Sequence, residues 1–600
     1  PTLALVVERE RERMAFKPED YWVISGEASH GEEEPFKVSH TTARFWDKDA
    51  ADAAYANVAQ AKEARVTAVE RKSRTQRPPA PFNTTSLQAA AAAEGISPAR
   101  TMRLAESLYM DGLISYPRVD NTVYPSSLDL KDCVRTIFKV PQYAPTCKAL
   151  LSQPKLTATR GKQETTDHPP IYPTGAADPE KLQPAAWKLY NLIARRFLAT
   201  LMGPATIEGT KVTFDVNGEP FQASGNVLAN PGFRSIYPYG LKKDDQLPEL
   251  HEGDICDVQK MDLLAKQTEP PARYSQGKLI QEMEKRGLGT KSTRASIIDT
   301  LYQRKYLKND PCEPSQLGMA IIDALNTYAP RITTPEMTSE LEDDMTKVAE
   351  GTDTQTQVVT HSRALLAGMM DGLIEHTEDL SEAIADAVTA DAKIGVCPKC
   401  GRDLVVKTSA KTRGSFAGCM GWPDCDVTYP LPQGRIEALE GEAAVCPDCG
   451  APRVKVQPFR QKAYETCINP ACPTNREPDV EVGVCHACAE AGRVGRLIAH
   501  KSERTGKRFI RCTNYDDCGT SYPLPQRGKL EATGEECPDC GAPMVIVTTA
   551  RGPWKLCPNM DCPGREKKAA AGRGRGRGTG AKAASAKKPA AKKTTAKKKA

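Results

Sequence analysis

Sixteen of the twenty cysteines of this chain lie beyond residue 396, and they form eight close pairs. Two pairs separated by 16–23 residues recur four times, and such a module can hold one tetrahedral Zn²⁺ ion, which supplies the folding energy that a module of this size lacks. With four thiolate ligands no coordination position is open, so we expect structural zinc and a reducing compartment. The predicted ligand sets are Cys397, Cys400, Cys419 and Cys425; Cys446, Cys449, Cys467 and Cys472; Cys485, Cys488, Cys512 and Cys518; and Cys537, Cys540, Cys557 and Cys562.

The length of 600 residues requires several domains, since single domains typically hold roughly 100–200 residues. Short stretches of alternating apolar and polar residues predict β-structure in two separate parts, and helical spacing dominates elsewhere, so the predicted fold class is multi-domain α/β. The predicted boundaries are 1–19 for the start of a helical core, 20–80 and 205–270 for the two parts of a β-rich domain, 81–204 for a helical insert, 271–392 for the rest of the helical core, 393–436, 437–480, 481–530 and 531–564 for four zinc modules, and 565–600 for a tail.

The charge of the chain is concentrated at its end. Residues 565–600 carry fourteen Lys or Arg and one acid, a net +13, which leaves −7 for the rest of a chain whose total is +6. Because this tail has almost no large apolar residue, we expect it to be disordered and to bind nucleic acid phosphates.

No run of about 18 apolar residues is present, so no membrane partner is expected. A second charged run, Glu8 to Arg13, predicts a helix that leaves its core for solvent.

A helix stop, a short strand and a rigid turn are predicted around Tyr116. The helix begins at Ser97 and ends at Gly112, and Leu113 to Ser115 are expected to form the strand. Pro117 keeps the backbone of Tyr116 extended. This arrangement holds the tyrosine hydroxyl in a fixed place.

Tyr116 and Arg118 together can begin the cleavage of a phosphodiester. That reaction requires a nucleophile and a cation that stabilises the charge on the phosphoryl oxygens. The same residues also fit a half-buried tyrosine beside a surface arginine, so chemistry alone leaves both interpretations open.

Residues 108–122, Leu-Tyr-Met-Asp-Gly-Leu-Ile-Ser-Tyr-Pro-Arg-Val-Asp-Asn-Thr, resemble the active-site signature of type IA DNA topoisomerases. The segments 7–12, 77–88, 167–174 and 279–298 resemble further blocks of that family in the same order. The resemblance implies a toroidal core of helical and β domains, in which the tyrosine becomes linked to a DNA 5′ phosphate. It also implies that Tyr116, Arg118 and His168 are the catalytic residues.

The segment before a predicted helix, Gly-Leu-Gly-Thr-Lys-Ser-Thr-Arg at 287–294, combines glycines, small hydroxyls and basic side chains. Its backbone N–H groups and its lysine can hold a DNA phosphate, although a plain helix-turn-helix connection is the alternative. Some type IA topoisomerases have Arg where Thr290 stands, so a direct guanidinium contact with DNA is not predicted at this position. The predicted DNA-binding residues are Lys291, Ser292, Thr293, Arg294 and, from the tyrosine signature, Asp120.

Type IA enzymes hold catalytic Mg²⁺ on an acidic cluster in a domain that precedes the blocks matched here, and this sequence shows no such cluster. Its first residue is Pro1, which falls within a helical pattern. We therefore expect the chain to begin just after that domain and the Mg²⁺ ligands to lie upstream.

The four cysteine modules resemble the zinc ribbons at topoisomerase I C-termini. Their aromatic residues can stack on unpaired bases or cap the small ribbon cores, and the residues leave both roles open. The aromatic candidates are Trp422, Tyr429, Phe509, Tyr515 and Tyr522. Cysteines outside the modules, Cys133, Cys147, Cys256 and Cys312, are expected to be ordinary core or surface residues.

The sequence thus predicts a monomeric cytoplasmic, nucleoid-associated enzyme that relaxes negatively supercoiled DNA by cutting single-stranded regions. A non-catalytic zinc-ribbon nucleic-acid-binding protein is one alternative, and RNA or the transcription machinery are further candidate partners of the ribbons. A decatenating, topoisomerase III-like enzyme is the other alternative, because the tyrosine and glycine-rich blocks favour that branch while the ribbons and tail favour relaxation.

Overall fold

A computed structural model describes residues 1–564 except 241–246, 411, 459–461, 476–478, 503–506, 527 and 550–551. The chain divides into two compact units, Pro1–Asp391 and Ala392–Ala600. The tail predicted at 565–600 lies outside the described residues.

The first unit contains both helices and strands. Its helices are α1 Thr2–Ala15, α2 Lys48–Val58, α3 Thr84–Ala93, α4 Pro98–Met110, α5 Leu130–Ile137, α6 Ala144–Leu151, α7 Pro184–Thr200, α8 Gln276–Lys285, α9 Arg294–Gln303, α10 Gln316–Tyr328, α11 Pro335–Glu350, α12 Gln355–Glu375 and, at the boundary, α13 Thr377–Ala392. Its strands are β1 Asp20–Ser29, β2 Phe36–His40, β3 Glu63–Gln76, β4 Ala205–Val216, β5 Glu219–Asn230, β6 Ile255–Gln267, β7 Leu307–Lys308 and β8 Glu313–Pro314.

Strands β1 to β6 close into an antiparallel barrel in the order β1-β2-β5-β4-β3-β6. Alternation directs Phe36 and Val38 of β2 inward, where they meet Phe214 and Phe221. A turn at Asn217-Gly218 joins β4 to β5, and both residues have positive φ, 52° and 89°, as such tight hairpin turns require. Half of the barrel thus precedes residue 77 and half follows residue 204, and the helical insert leaves and re-enters at β3 and β4.

The insert packs α3 to α7 around one apolar core, to which α7 contributes Leu189, Tyr190, Ile193 and Phe197. A second helical core joins α1 to α8, α9 and α10. These two cores and the barrel interior are the apolar clusters of the first unit within the described residues.

The charged half of α1 leaves the core after Val7, and Glu8 and Glu12 are exposed as predicted, while another face of the helix is anchored to the segment that leads into α8. Arg273 donates to both carboxylate oxygens of Glu10 at 2.7 and 2.8 Å, and Arg13 donates to the Pro271 carbonyl at 2.6 Å. Arg9 lies 4.4 Å from the centre of the Tyr274 ring. Residues four apart share a helix face, so Arg9 and Arg13 both point at this segment.

The second unit consists of four small antiparallel sheets, ordered β12-β11-β10-β9, β13-β14-β15, β16-β17-β18-β19 and β20-β21-β22. The strands are β9 Lys393–Val396, β10 Asp403–Thr408, β11 Ser415–Cys419, β12 Thr428–Pro430, β13 Arg435–Ala438, β14 Arg453–Gln457, β15 Tyr464–Cys467, β16 Val480–Val484, β17 Arg496–Lys501, β18 Arg508–Cys512, β19 Ser521–Pro523, β20 Lys529–Glu536, β21 Pro543–Thr549 and β22 Gly552–Leu556. Two short helices, α14 His486–Glu490 and α15 Tyr515–Cys518, belong to the third sheet. The first two sheets share one apolar core and the last two share another, so the ribbons fold as two pairs.

Among the helices described, none is both long enough and apolar enough to cross a membrane. The four cysteines outside the ribbons are buried or half-buried, and burial raises the pKa of each thiol to about 11. The predicted domain boundaries and the toroidal arrangement stay predictions.

Candidate active site

Helix α4 leads into the tyrosine segment much as the sequence predicts. Pro98 occupies its first turn after Ser97, and Gly112 follows it with φ 71°, a backbone conformation that favours glycine. The expected strand at 113–115 is reduced to a single bridge between Ile114 and Pro173. Prolines lack the N–H that a ladder needs, so pairing with this proline-rich segment cannot extend.

The turn after Tyr116 is held in place by hydrogen bonds to the side chain of Thr84, at the start of α3. Its side chain is almost completely buried, and its hydroxyl lies 2.8 Å from the Pro117 carbonyl and 3.0 Å from the Val119 carbonyl. The same oxygen accepts the Val119 N–H at 2.7 Å. The sequence prediction assigned no role to this threonine, although it lies within the matched block 77–88.

Tyr116 is half-buried between two aromatic rings from different parts of the insert. The His168 ring centre lies 4.8 Å from that of Tyr116, and the Tyr109 ring packs edge-on at 5.4 Å. No hydrogen-bond partner of the Tyr116 hydroxyl is found within the described part of the chain. The Tyr116 hydroxyl therefore makes no hydrogen bond to these protein groups.

The Arg118 guanidinium is held from two sides. Its Nε and Nη2 donate to one oxygen of Glu106 on α4 at 3.0 and 2.5 Å, and its Nη1 donates to the Ser292 carbonyl at 2.9 Å. The side chain is 28% exposed, so solvent reaches part of it. Glu106 is a further residue that sequence reasoning missed.

Lys291 joins the loop between α8 and α9 to the tyrosine segment. Its ammonium lies 3.2 Å from a carboxylate oxygen of Asp120 and 3.0 Å from one of Asp167. Burial favours a lower pKa for Lys291, but its bonds to Asp167 and Asp120 outweigh burial and raise it. Hydrogen bonds from Thr165 and then from Lys291 hold the pKa of Asp167 well below its ordinary value. Asp167 thus remains ionised, and the bonds of Lys291 to Asp167 and Asp120 favour the charged form of the lysine.

The rest of this loop is arranged by its own side chains. Thr293 accepts the Thr290 N–H at 2.8 Å, and Ser292 offers its carbonyl to Arg118. Arg294 is buried, and its guanidinium contacts the Leu288 carbonyl and the hydroxyl of Thr85. Among the five predicted DNA-binding residues, Arg294 is the one whose charged group faces inward.

His168 is exposed, and the backbone next to it is positioned by Asn121. The buried Asn121 amide donates to the carbonyls of Thr165 at 2.8 Å and His168 at 3.1 Å. The structure therefore brings Tyr116, Arg118, His168, Asp120 and Lys291 to one place, although the chain separates them by up to 175 residues.

The four predicted cysteine sets form four clusters, in each of which all sulfur atoms lie within 4.8 Å of one another. Sulfur atoms in contact within a cluster are 3.3–3.8 Å apart. This distance is close to the S–S distance in a tetrahedral site with Zn–S bonds of about 2.3 Å, and it is far longer than the roughly 2.05 Å of a disulfide bond. Backbone N–H groups two residues after a cysteine point at the sulfur, as Gly421 does toward Cys419 at 3.2 Å and Asn514 toward Cys512 at 3.3 Å. Such N–H donors stabilise the negative charge of a thiolate, so the four cysteines of each cluster are suited to hold a structural zinc ion.

The ribbon aromatics divide into two groups. Tyr429 and Tyr522 pack against the ribbon cores, and Phe509 and Tyr515 are half-buried against His500 and Arg511. Trp422 is 73% exposed.

The prediction named Phe509 but missed that its position, three residues before the third cysteine, is aromatic in all four ribbons. It is occupied by Phe416, Tyr464, Phe509 and Trp554. Tyr464 and Trp554 are exposed, and the spacing to the cysteine would have revealed both.

Residues 1–360 match the family model described as DNA topoisomerase, and residues 394–434, 482–527 and 534–563 match the model described as topoisomerase DNA binding C4 zinc finger. The chain is 37% identical over 569 residues to DNA topoisomerase 1 of Thermoplasma acidophilum, with 95% of this chain and 71% of that protein aligned. It is 41% identical to DNA topoisomerase 1 of Archaeoglobus fulgidus, with 72% and 63% aligned. A solved structure of full-length topoisomerase I from Thermotoga maritima superposes with a TM-score of 0.49 at 23% identity, covering 73% of this chain and 71% of that one.

Proposed function

Because this chain belongs to the type IA DNA topoisomerase family with C-terminal zinc ribbons, we propose that it cleaves one DNA strand through Tyr116 and reseals it. The match over residues 1–360 concerns the catalytic part of the family, so the hypothesis of a non-catalytic binding protein is not favoured. The decatenating alternative is not favoured either, because the relatives at 37% and 41% identity are named DNA topoisomerase 1.

One observation carries the assignment of the catalytic residues. The Tyr116 ring packs against His168, Arg118 follows two residues later and is held by Glu106 of the adjoining α4, and the Tyr116 hydroxyl is not bonded to any described protein group. A nucleophile beside two groups able to stabilise negative charge is the arrangement that attack on a phosphodiester requires.

In the proposed reaction the Tyr116 oxygen attacks a backbone phosphorus of single-stranded DNA. A bond forms between phosphorus and the tyrosine oxygen, the bond to the 3′ oxygen breaks, the phenol loses its proton, and the 3′ oxygen gains one. Arg118 and His168 stabilise the charge on the phosphoryl oxygens. One phosphodiester replaces another, so attack by the 3′ hydroxyl restores the strand after the other strand has passed.

Lys291, Ser292, Thr293 and Asp120 are proposed to position the DNA backbone at this site. Lys291 is already held beside the tyrosine segment by Asp120 and Asp167, and an incoming phosphate competes with these carboxylates for its ammonium. For Arg294 we propose a different role from the predicted one. Because its guanidinium is buried against Leu288 and Thr85, it supports the loop and does not touch DNA.

Mg²⁺ is proposed as the catalytic metal, since it would help the 3′ oxygen leave and return. Within the described residues the groups that could hold a metal are the four cysteine clusters, whose soft thiolates suit zinc and not magnesium. No residue of the chain is therefore assigned to Mg²⁺.

DNA is the partner that both parts of the chain indicate. We propose that the exposed ribbon aromatics, Trp422, Tyr464 and Trp554, stack on unpaired bases while basic residues contact phosphates. The protein is proposed to act as a monomer in the cytoplasm, at the nucleoid, and to relax negative supercoils.

Covalent capture tests the proposal. Purified protein is mixed with a labelled single-stranded oligonucleotide and stopped with denaturant, and the adduct is measured in wild type, Tyr116→Phe and Tyr109→Phe. Wild type and Tyr109→Phe should form the adduct, and Tyr116→Phe should form none while binding DNA within a few fold of wild type, because only the nucleophilic oxygen is removed. A normal adduct yield in Tyr116→Phe would end the assignment.

A further inference from the structure

Helix α4 runs beside the tyrosine segment and touches both of its reactive side chains. Glu106 contacts Arg118, and Tyr109, one turn later on the same face, contacts the ring of Tyr116. The buried side chains of Ala105 and Leu108 anchor the helix in the insert core. The helix is thus a fixed surface against which the two side chains are aligned.

The bonds of Arg118 leave a defined part of its guanidinium open. Nε and Nη2 both donate to one oxygen of Glu106, and Nη1 donates once to the Ser292 carbonyl. A guanidinium has five N–H donors in a planar fork, so one remains on each terminal nitrogen. The remaining N–H of Nη2 lies on the edge formed by the two terminal nitrogens, and a phosphate that replaces the Ser292 carbonyl on Nη1 can bind this edge with two parallel hydrogen bonds.

We propose that Glu106 is a positioning residue that orients this edge of Arg118 toward the phosphate attacked by Tyr116. The proposal rests on the function proposed above. An arginine side chain has many rotamers, and the carboxylate fixes one of them before DNA arrives. Ser292 offers only a neutral carbonyl, which a phosphate displaces more readily than it displaces the paired carboxylate.

The opposite role, in which Glu106 competes with DNA for Arg118, makes a different prediction. Removing a competitor would strengthen DNA binding and speed cleavage. Removing a positioning group slows cleavage and leaves binding nearly unchanged, because most of the binding free energy comes from other phosphate and base contacts.

The test compares Glu106→Ala and Glu106→Gln in the intact protein, with Asp111→Ala as the matched control. Asp111 is an exposed acid at the end of the same helix, so its removal makes the same change in charge. Adduct formation is measured at saturating oligonucleotide, and the dissociation constant is measured separately. Glu106→Ala should slow adduct formation about 10–100-fold, since a misplacement of about 1 Å can cost roughly 100-fold, with the dissociation constant within twofold of wild type.

Glu106→Gln should recover much of the rate, because an amide oxygen accepts the same two hydrogen bonds. The combination of Glu106→Ala with Arg118→Ala should be no slower than Arg118→Ala alone, since Glu106 acts through Arg118. Asp111→Ala should behave as wild type.

An unchanged or faster rate in Glu106→Ala, no recovery in Glu106→Gln, or additive losses in the double variant would overturn the proposal while the tyrosine assignment stands. A wild-type protein that forms no adduct would overturn the proposed function and this inference together.

Discussion

Replacing Thr84 by valine removes one buried hydroxyl and nothing else of comparable size. The hydroxyl accepts the Val119 N–H at 2.7 Å and donates to the Pro117 carbonyl at 2.8 Å. The Val119 carbonyl still accepts the Thr84 backbone N–H at 2.9 Å, so it keeps a hydrogen bond after the substitution. The substitution therefore leaves one N–H and one carbonyl of the turn without the partner that the hydroxyl supplied.

The expected effect on the turn follows from these two groups. Leaving a buried polar group unsatisfied costs about 1–3 kcal/mol, and each group here can shift slightly to recover part of the loss. We expect the turn to be destabilised by about 2–3 kcal/mol, which at about 1.4 kcal/mol per tenfold corresponds to roughly 30–150-fold more frequent opening.

Hydrogen exchange at the Val119 amide measures this opening directly. Protection should fall by about that factor in Thr84→Val, and adduct formation should slow while DNA affinity stays within a few fold. Thr84→Ser keeps the hydroxyl and should retain both protection and rate within about threefold. Wild-type protection in Thr84→Val, or equal losses in the serine and valine variants, would refute the argument that the hydroxyl holds the turn.

Metal-replete protein should contain about four zinc ions per chain, because each ribbon brings four thiolates together, and elemental analysis that finds one or none would contradict this. Removal of residues 565–600 should weaken DNA binding most at low salt and flatten the dependence of affinity on salt, because a segment of net +13 releases counterions from phosphates; an unchanged slope would show that the tail does not contact DNA. Trp422→Ala and Trp554→Ala should each weaken single-stranded DNA binding about fivefold to tenfold, as expected for loss of one stacked base, whereas Tyr429→Phe, in a ribbon core, should leave affinity unchanged; equal effects in a fluorescence titration would argue against stacking at the exposed positions.

Much of the zinc unit could be predicted because its determinants are local. The spacing of the cysteines alone gives the four clusters, and the second of them, at 446–472, lies outside the matched ribbon ranges yet has the same geometry. The shared apolar core within each pair of ribbons depends on side-chain packing between modules, which the spacing of the cysteines does not contain.

At the active site, the sequence predicted the residues now proposed to carry the chemistry but not those proposed to position them. Tyr116 and Arg118 stand in a recognisable turn, whereas Glu106 contacts Arg118 only because α4 packs beside that turn. Arg294 was expected to face DNA from its place in a basic loop, and it is buried because α9 begins there and directs it toward Leu288. Such orientations are set by tertiary packing, which a linear pattern does not contain.

Mapping the site of covalent attachment shows whether DNA becomes linked to the Tyr116 oxygen. After covalent capture and nuclease treatment, trypsin should release the peptide 104–118, which contains both Tyr109 and Tyr116. Fragmentation by mass spectrometry should then place a nucleotide 5′ phosphate on Tyr116. Attachment to Tyr109, whose ring lies only 5.4 Å from that of Tyr116, or to a residue outside this peptide, would contradict the account.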